Sequence, residues 1–365
     1  MKILSAFLIW AVVMLGAYAS NSSSHENHTD IIQKYRMPTS LETASWTTKP
    51  HYFCLMTKIK VLSHIHTCNI VEWVVYHYLM GVDHIYIADD QSSENSLVAD
   101  TLQYFIDINY ISLLRVNDKR QFATQNEITR FLFRHFASKQ CEWVGNIDVD
   151  EFLTFRTNKP EDTDLKVYLS EIRDIGRILP WWMMSNEGHI ARPKGFITEN
   201  YFHGWNYPGH LKSISRASEI REWSYQLHPF YLANKKRATI HGENQVKFLQ
   251  RSSLREEEET EIIFPQEGGK VRVFTSNFYI QHYRYLSFQE FSLQKGLLNR
   301  TAGGLENPWA RAPYKTWLRG NNSVARMTGT YTAFMAQKVR AGLYLLKDSD
   351  EVAVALKDCF VLWDR

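Results

Sequence analysis

Between His51 and Leu153 the chain alternates short apolar runs with amphipathic stretches. "YFCLMTKIKVL" reads as a β-rich run ending near Ser63, "DHIYIADD" and "YISLLRV" as a second and third strand, and "WVGNIDVDEFL" as a fourth. Three helical patterns lie between them. Asn69 opens the first as an N-cap, with Glu72 three positions on in a capping-box arrangement, and the helix runs through "IVEWVVYHYLM" to a stop at Gly81. "SENSLVADTLQYFID" is the second, with Ser92 or Asn95 as its cap. "TQNEITRFLFRHFASKQ" is the third, apolar at Ile128, Phe131, Leu132 and Phe136. This β-α-β-α-β-α-β order predicts an α/β fold, a mostly parallel central sheet with right-handed crossovers and flanking helices. Ligands on such sheets bind at the carboxyl ends of the strands. The second strand ends in Asp89-Asp90 and the fourth in Asp148-Val149-Asp150, so both acidic groups are expected to open onto one crevice.

The second half is less regular. The stretch from Leu179 to Arg216, rich in Gly, His and aromatics, predicts a long irregular or β-hairpin region. "LREEEETEI" reads as a solvated loop or helix face, and no internal repeat is present. At the other end, "ILSAFLIWAVVMLGAYA" after Met1-Lys2 is unbroken by charge. It suits an uncleaved type II signal-anchor; Ala17-Tyr18-Ala19 also fits a cleaved secretory signal, with export as the alternative outcome. The anchor reading is preferred because a polar, stem-like segment follows. The expected organisation is an anchor or signal at 1–20, a flexible stem at 21–49, one catalytic domain at 50–300 and a C-terminal extension at 301–365 packing on it.

Composition narrows the partners. With 22% charged and 44% hydrophobic residues the 365-residue chain is ordinarily globular, and a formal net charge of +3 is too small to argue for nucleic acid. Sequons at Asn21, Asn27, Asn299 and Asn321 agree with a Golgi or ER lumenal placement, attached to the membrane through the N-terminal segment. Four cysteines permit two disulfides, but no spacing fixes a pairing, and Cys54 and Cys141 suit buried thiols equally well. The absence of a C-x-x-C pair argues against structural zinc.

The run "NIDVDEF" carries the chemistry. Strand alternation predicts Asp148 and Asp150 on one face and Val149 on the other, with Glu151 opposite the pair as a support. Two carboxylates at a strand terminus suit a hard divalent cation bridging a phosphate, since oxygen ligands favour Mg²⁺ or Mn²⁺. A salt-bridged surface turn is the bland alternative. "ADDQSSENS" suits hydrogen bonding to a ribose or base, or a plain helix cap.

"VEWVVYHYLMGVDHIYIADDQSSENS", "WVGNIDVDEFL", "WWMMSNEGHIARPKG", "HLKSISR" and "IQHYRYLSFQEFSLQKG" occur in an order that resembles glycosyltransferase family 92, and more loosely the related family 2. The specific blocks are E-W-x-x-Y-H, I-D-V-D-E-F and H-Y-R-x-x-S-x-x-E-F. The resemblance implies a GT-A (Rossmann-like) fold, a UDP-sugar donor with galactose as the default, a divalent metal, and an inverting transfer of hexose to a glycan or glycoprotein acceptor. Carried over, Asp148, Asp150 and His282 hold Mn²⁺ (or Mg²⁺). Asp89, Asp90, Ser92, Gln125 and Lys212 face the donor, Lys212 and Arg216 as screens for the leaving diphosphate or as surface residues. Glu187 and His189 are the base candidates for the acceptor hydroxyl.

Two departures from the family pattern fall at "KVLSHIHTCNIVEW", before the first helix, and at "MSNEGH". Acceptor stacking is expected among Trp181, Trp182, Tyr201, Trp205 and Tyr207, with about half of these in the core. The competing readings are a metal-dependent nucleotidyl- or phosphotransferase, which releases a nucleoside monophosphate, and an inactive glycan-binding protein of the same fold.

Overall fold

A computed structural model of the chain describes residues 49–116, 125–172, 176–204, 210–223, 278–296, 330–347 and 350–364, with short pieces between 230 and 326. In chain order the elements that position the site are β1 (His51–Ile59), α1 (His64–Met80), β2 (His84–Asp89), α2 (Val98–Asp107), β3 (Ile111–Arg115), α3 (Gln125–Leu132), β4 (Cys141–Asn146) and β5 (Glu151–Phe155). There follow α4 (Leu165–Glu171), β6 (Gly176–Met183), β7 (His210–Arg216), β8 (Phe278–His282), α5 (Thr330–Lys347) and α6 (Asp350–Trp363).

Eight of these strands form one sheet in the order β3-β2-β1-β4-β7-β6-β8-β5. The first four are parallel, as the alternating pattern predicts. β7 enters antiparallel between β4 and β6, β8 lies parallel to β6, and β5 closes the far edge antiparallel to β8. All six residues of β2 are buried, the signature of a strand covered on both faces. α1 is buried along almost its whole length, because α5 and α6 cover the side that the sheet does not. It stops at Gly81, whose φ of 103° needs a residue without a Cβ.

Several boundaries differ from expectation. α1 starts at His64, five residues before the predicted cap, and Asn69 is buried inside it. The polar stretch "HIHTCN" tolerates a helix because its side chains find partners: Cys68 is bridged to Cys359 of α6, Thr67 donates to Ser96 O, and Asn69 donates to Glu290. α2 is preceded by a 3₁₀ turn over Glu94–Ser96, and neither Ser92 nor Asn95 caps it; Leu97, at φ 53°, holds the cap position. The third helical pattern breaks into α3 and a π-type turn at Phe133–Ala137, with Ile128, Leu132 and Phe136 buried as expected. Of the irregular and β-hairpin readings of the region from Leu179 to Arg216, the antiparallel pairing of β6 with β7 agrees with the second. The last residues of the acidic run enter a strand, Glu259–Ile263, paired with Lys270–Phe274, and the rest of the run lies outside the described residues.

Cys54 and Cys141, which the sequence leaves open between a disulfide and buried thiols, are joined as a disulfide between β1 and β4. No helix among the described residues is long and apolar enough to cross a membrane. The expected anchor, stem and four sequons, along with Trp205 and Tyr207, lie outside the described residues.

Candidate functional site

The predicted single strand "WVGNIDVDEFL" is two strands with a turn at 147–150 between them, so Asp148 and Asp150 sit on a turn and not on alternating strand positions. The turn closes on itself: Glu151 N–H donates to Asp148 O (2.9 Å), and Asp148 N–H donates to Glu151 Oε2 (2.8 Å). The Glu151 side chain points inward, where Lys212 of β7 meets it. Lys212 Nζ lies 3.1 Å from Glu151 Oε2 and 3.2 Å from Asp148 Oδ2, and its side chain is 0% exposed. Burial alone lowers a lysine, but the Asp148 and Glu151 carboxylates outweigh it and hold the ammonium above its usual range. Burial pushes Glu151 up, against the pull of Lys212. Lys212, expected to face the donor, instead neutralises the acidic turn from beneath.

α1 clamps the strand that leaves this turn. Trp73 Nε1–H donates to Glu151 O (2.6 Å), and Tyr76 OH donates to Leu153 O (2.8 Å). His77 accepts from Leu153 N–H at Nε2 (3.3 Å), while its Nδ1 meets Trp73 O at 2.8 Å. Burial lowers His77 to about 3, so the imidazole is neutral and this two-sided pattern is satisfied. In E-W-x-x-Y-H, then, Trp73, Tyr76 and His77 fix the backbone of β5. Glu72 reaches elsewhere, accepting from Ile197 N–H, Thr198 N–H and Thr198 Oγ1–H.

β8 brings in the histidine. His282 pairs across from Glu151 on one side and Met183 on the other. Its Nε2 is 3.3 Å from Asp150 Oδ1, and Tyr283 N–H donates to Asp150 O (2.7 Å). The ring stacks on Trp181 with centroids 4.0 Å apart. Burial lowers His282 to about 4, against the pull of Asp150, which leaves the neutral imidazole that a metal ligand requires. Its Nδ1 is buried with no hydrogen-bond partner. The donor set of two carboxylates and one neutral imidazole fits Mn²⁺ or Mg²⁺. The set is not drawn tight. Among the described residues the only three ligand atoms within 4.8 Å of one another belong to His64, Cys68 and Cys359, and the two cysteines are joined to each other.

At the carboxyl end of β2, Asp89 accepts from Ser92 N–H (2.8 Å), Ser92 Oγ accepts from Val61 N–H (2.8 Å), and Asp90 pairs with Lys58 (2.7 Å). Gln91 takes φ 60° to make this turn, a conformation that costs a non-glycine residue energy. Because β1 lies between β2 and β4 in parallel register, the Asp89 turn and the Asp148–Asp150 turn share one end of the sheet. Gln125 opens α3, and its side chain is outside the described residues. Arg216 sits away from both turns, paired with Glu142 at 2.7 Å and stacked on Trp143.

"MSNEGH" forms a left-handed turn, with Glu187 at φ 52° and Gly188 at φ 75°. Ser185 Oγ accepts from Glu187 N–H, and Asn186 Oδ1 accepts from Gly188 N–H. The Glu187 carboxylate accepts from Phe202 N–H and His203 N–H and meets His203 Nδ1 at 2.7 Å. His189 packs edge-on against Tyr201. Trp181, Trp182 and Tyr201, expected to share in acceptor stacking, are all buried. Ser287 Oγ, Tyr201 OH and Asn69 Nδ2 converge as donors on the buried Glu290 carboxylate, beside Arg192. Ser287 and Glu290 of H-Y-R-x-x-S-x-x-E-F thus brace the segment that carries the turn.

The family profile of glycosyltransferase family 92 matches residues 49–322, about three quarters of the chain. The chain belongs to glycosyltransferase family 92. A family 92 protein of Oryza sativa subsp. japonica is 29% identical over 179 residues, 48% of this chain and 28% of its own length. One from Ricinus communis is 30% identical over 112 residues, 30% of this chain and 18% of its own. The family 92 chain therefore spans under a third of the length of these relatives. Among solved structures, S. aureus TarS in complex with UDP-GlcNAc is similar at 12% identity and a TM-score of 0.29, over 46% of each chain. The galactosyltransferase LgtC in complex with donor and acceptor sugar analogues is similar at 18% identity and a TM-score of 0.20, over 37% of this chain and 47% of its own. This family 92 chain has an α/β fold around a mixed eight-stranded sheet, and the blocks by which its sequence resembles the family build the two acidic turns and the clamp behind them.

Proposed function

We propose that this family 92 chain is a metal-dependent, inverting glycosyltransferase that moves a hexose, with galactose the first donor to test, from a UDP-sugar to a glycan in the secretory pathway. The observation that carries the reading is the meeting of Asp150 Oδ1 and His282 Nε2, 3.3 Å apart, beside Asp148 on the turn that follows β4. Asp148, Asp150 and His282 are the residues that would hold the cation, which supplies positive charge against the diphosphate of the donor and leaving group. Lys212 and Glu151 hold the turn in place, and Lys212 keeps Asp148 from repelling Asp150. The Asp89 turn lies at the same sheet end, where a uridine's hydroxyls and base come within reach of polar groups. Two disulfides suit an oxidising compartment, which supports the lumenal placement.

The test is to incubate the full-length protein with each UDP-sugar, Mn²⁺ and glycans released from glycoproteins, and to identify the nucleotide product. Release of UDP is expected, lost on chelation and in Asp150→Ala. A nucleoside monophosphate would indicate the nucleotidyltransferase reading, and glycan binding without any nucleotide release would indicate a binding protein.

A further inference from the structure

An inverting transfer needs a base for the acceptor hydroxyl, and neither carboxylates nor histidines proposed from sequence are free for it in the expected way. Glu187 is tied by both oxygens: Oε1 accepts from Phe202 N–H (3.2 Å) and His203 N–H (2.7 Å), while Oε2 meets His203 Nδ1 at 2.7 Å. The His189 ring is turned against Tyr201. The histidine whose ring a carboxylate orients is His203. A carboxylate offers only acceptors, so the bond at Nδ1 makes that nitrogen the N–H donor, and in the neutral ring Nε2 is the acceptor. The His203 side chain is 38% exposed, whereas that of Glu187 is 12% exposed. A carboxylate that fixes the tautomer and angle of an exposed imidazole is the arrangement by which a histidine is prepared as a base.

The backbone puts this pair at the right end of the sheet. Met184 N–H donates to His282 O (2.8 Å), and the next residue, Ser185, donates its N–H to His203 O (2.7 Å). Consecutive N–H groups on an extended segment point to opposite sides. His203 therefore lies two strand spacings from His282, about 10 Å between backbones, with Met184 and Ser185 on the strand between them. The strain is local to the same pair: Glu187, a non-glycine residue, is held at φ 52°, and such conformations persist where surrounding bonds over-determine them.

We infer that His203 is the general base of the transfer and that Glu187 is its positioning residue, an assignment that rests on the glycosyltransferase reading above. In the step, the acceptor O–H proton passes to His203 Nε2 as the hydroxyl oxygen forms its bond to the anomeric carbon. The bond from that carbon to the diphosphate oxygen breaks, and its electron pair leaves with UDP; the imidazolium then returns its proton to solvent.

The experiment uses the full-length protein, UDP-galactose, Mn²⁺ and glycans released from glycoproteins, with UDP release as the rate and calorimetry as the measure of donor binding. His203→Asn keeps a side-chain N–H for Glu187 and removes the base. It is expected to lower kcat by about 100-fold or more while donor affinity and melting temperature stay those of the wild type. His203→Ala is expected to lose as much and to regain rate on addition of free imidazole. Glu187→Gln is expected to cost about 10-fold alone and nothing further in the His203→Ala background, because residues that act through one another are not additive. Wild-type kcat in His203→Asn, or Glu187 and His203 losses that add, would overturn the assignment. A wild-type protein that neither binds UDP-galactose nor releases UDP would overturn the glycosyltransferase reading itself, and the base with it.

Discussion

Lys212 Nζ and Glu151 Oε2 lie 3.1 Å apart with both side chains fully withdrawn from solvent, directly beneath the turn that carries Asp148 and Asp150. A buried pair of this kind is costly to break from one side, because the remaining group stays desolvated without its partner. Lys212→Met is therefore expected to destabilise the fold by about 3–5 kcal/mol in urea unfolding. A variant as stable as the wild type would show that the pair does not hold the turn.

Trp73→Phe removes one donor from the clamp and leaves Glu151 O buried without it. The expected loss is about 1–3 kcal/mol of stability. The turn it fixes should also loosen, so the apparent affinity for Mn²⁺ and UDP is expected to fall more than that of a control Phe53→Leu variant in the core of β1. Equal losses in the two variants would reduce Trp73 to ordinary packing.

His77 sets an acid limit on the fold. Burial holds its folded pKa at about 3, below the ordinary histidine value of 6.5, so the unfolded chain takes up the proton first. The contribution is fully present above pH 6.5 and is lost as pH falls toward 3, at up to about 1.4 kcal/mol per pH unit. His84, lowered to about 4 by burial and by His51, adds in the same direction. Urea unfolding between pH 7 and pH 5 is expected to show a steeper loss in the wild type than in His77→Gln. Parallel curves would contradict this.

The Cys68–Cys359 bridge joins α1 to α6 across 291 residues. Replacing both by serine is expected to cost about 3–5 kcal/mol, chiefly by releasing the unfolded chain. Amide exchange in α6 should rise sharply, while β4 and β5, which are closed by their own sheet bonds, keep their protection. Unchanged exchange in α6 would mean that packing alone holds the helix.

The four parallel strands were legible because each is a short apolar run between helical periods, and the acidic termini of β2 and β4 followed from that order. The break at 147–150 was not, since "NIDVDEF" alternates as well as any strand and only Glu151 closing on Asp148 N–H ends it. Lys212 carried no local signal either: it sits in "HLKSISR", and its burial depends on β7 entering between β4 and β6 from more than sixty residues away. The clamp residues lay inside the motif blocks, where Trp73, Tyr76 and His77 of E-W-x-x-Y-H fall within one and a half helical turns; what they hold became visible only when β5 was placed against α1. His203 stood in "YFHGW" without any pattern, and nothing in the sequence signals that Glu187, sixteen residues earlier, meets its ring.

The central claim is that Asp150 and His282 hold a divalent cation through which UDP is bound. Calorimetric titration of UDP into the full-length protein, with and without Mn²⁺, tests it most directly when Asp150→Ala is measured beside the wild type. The account predicts Mn²⁺-dependent binding in the wild type and its loss in Asp150→Ala at an unchanged melting temperature. Equal UDP affinity with and without Mn²⁺, or undiminished Mn²⁺-dependent binding in Asp150→Ala, would contradict it.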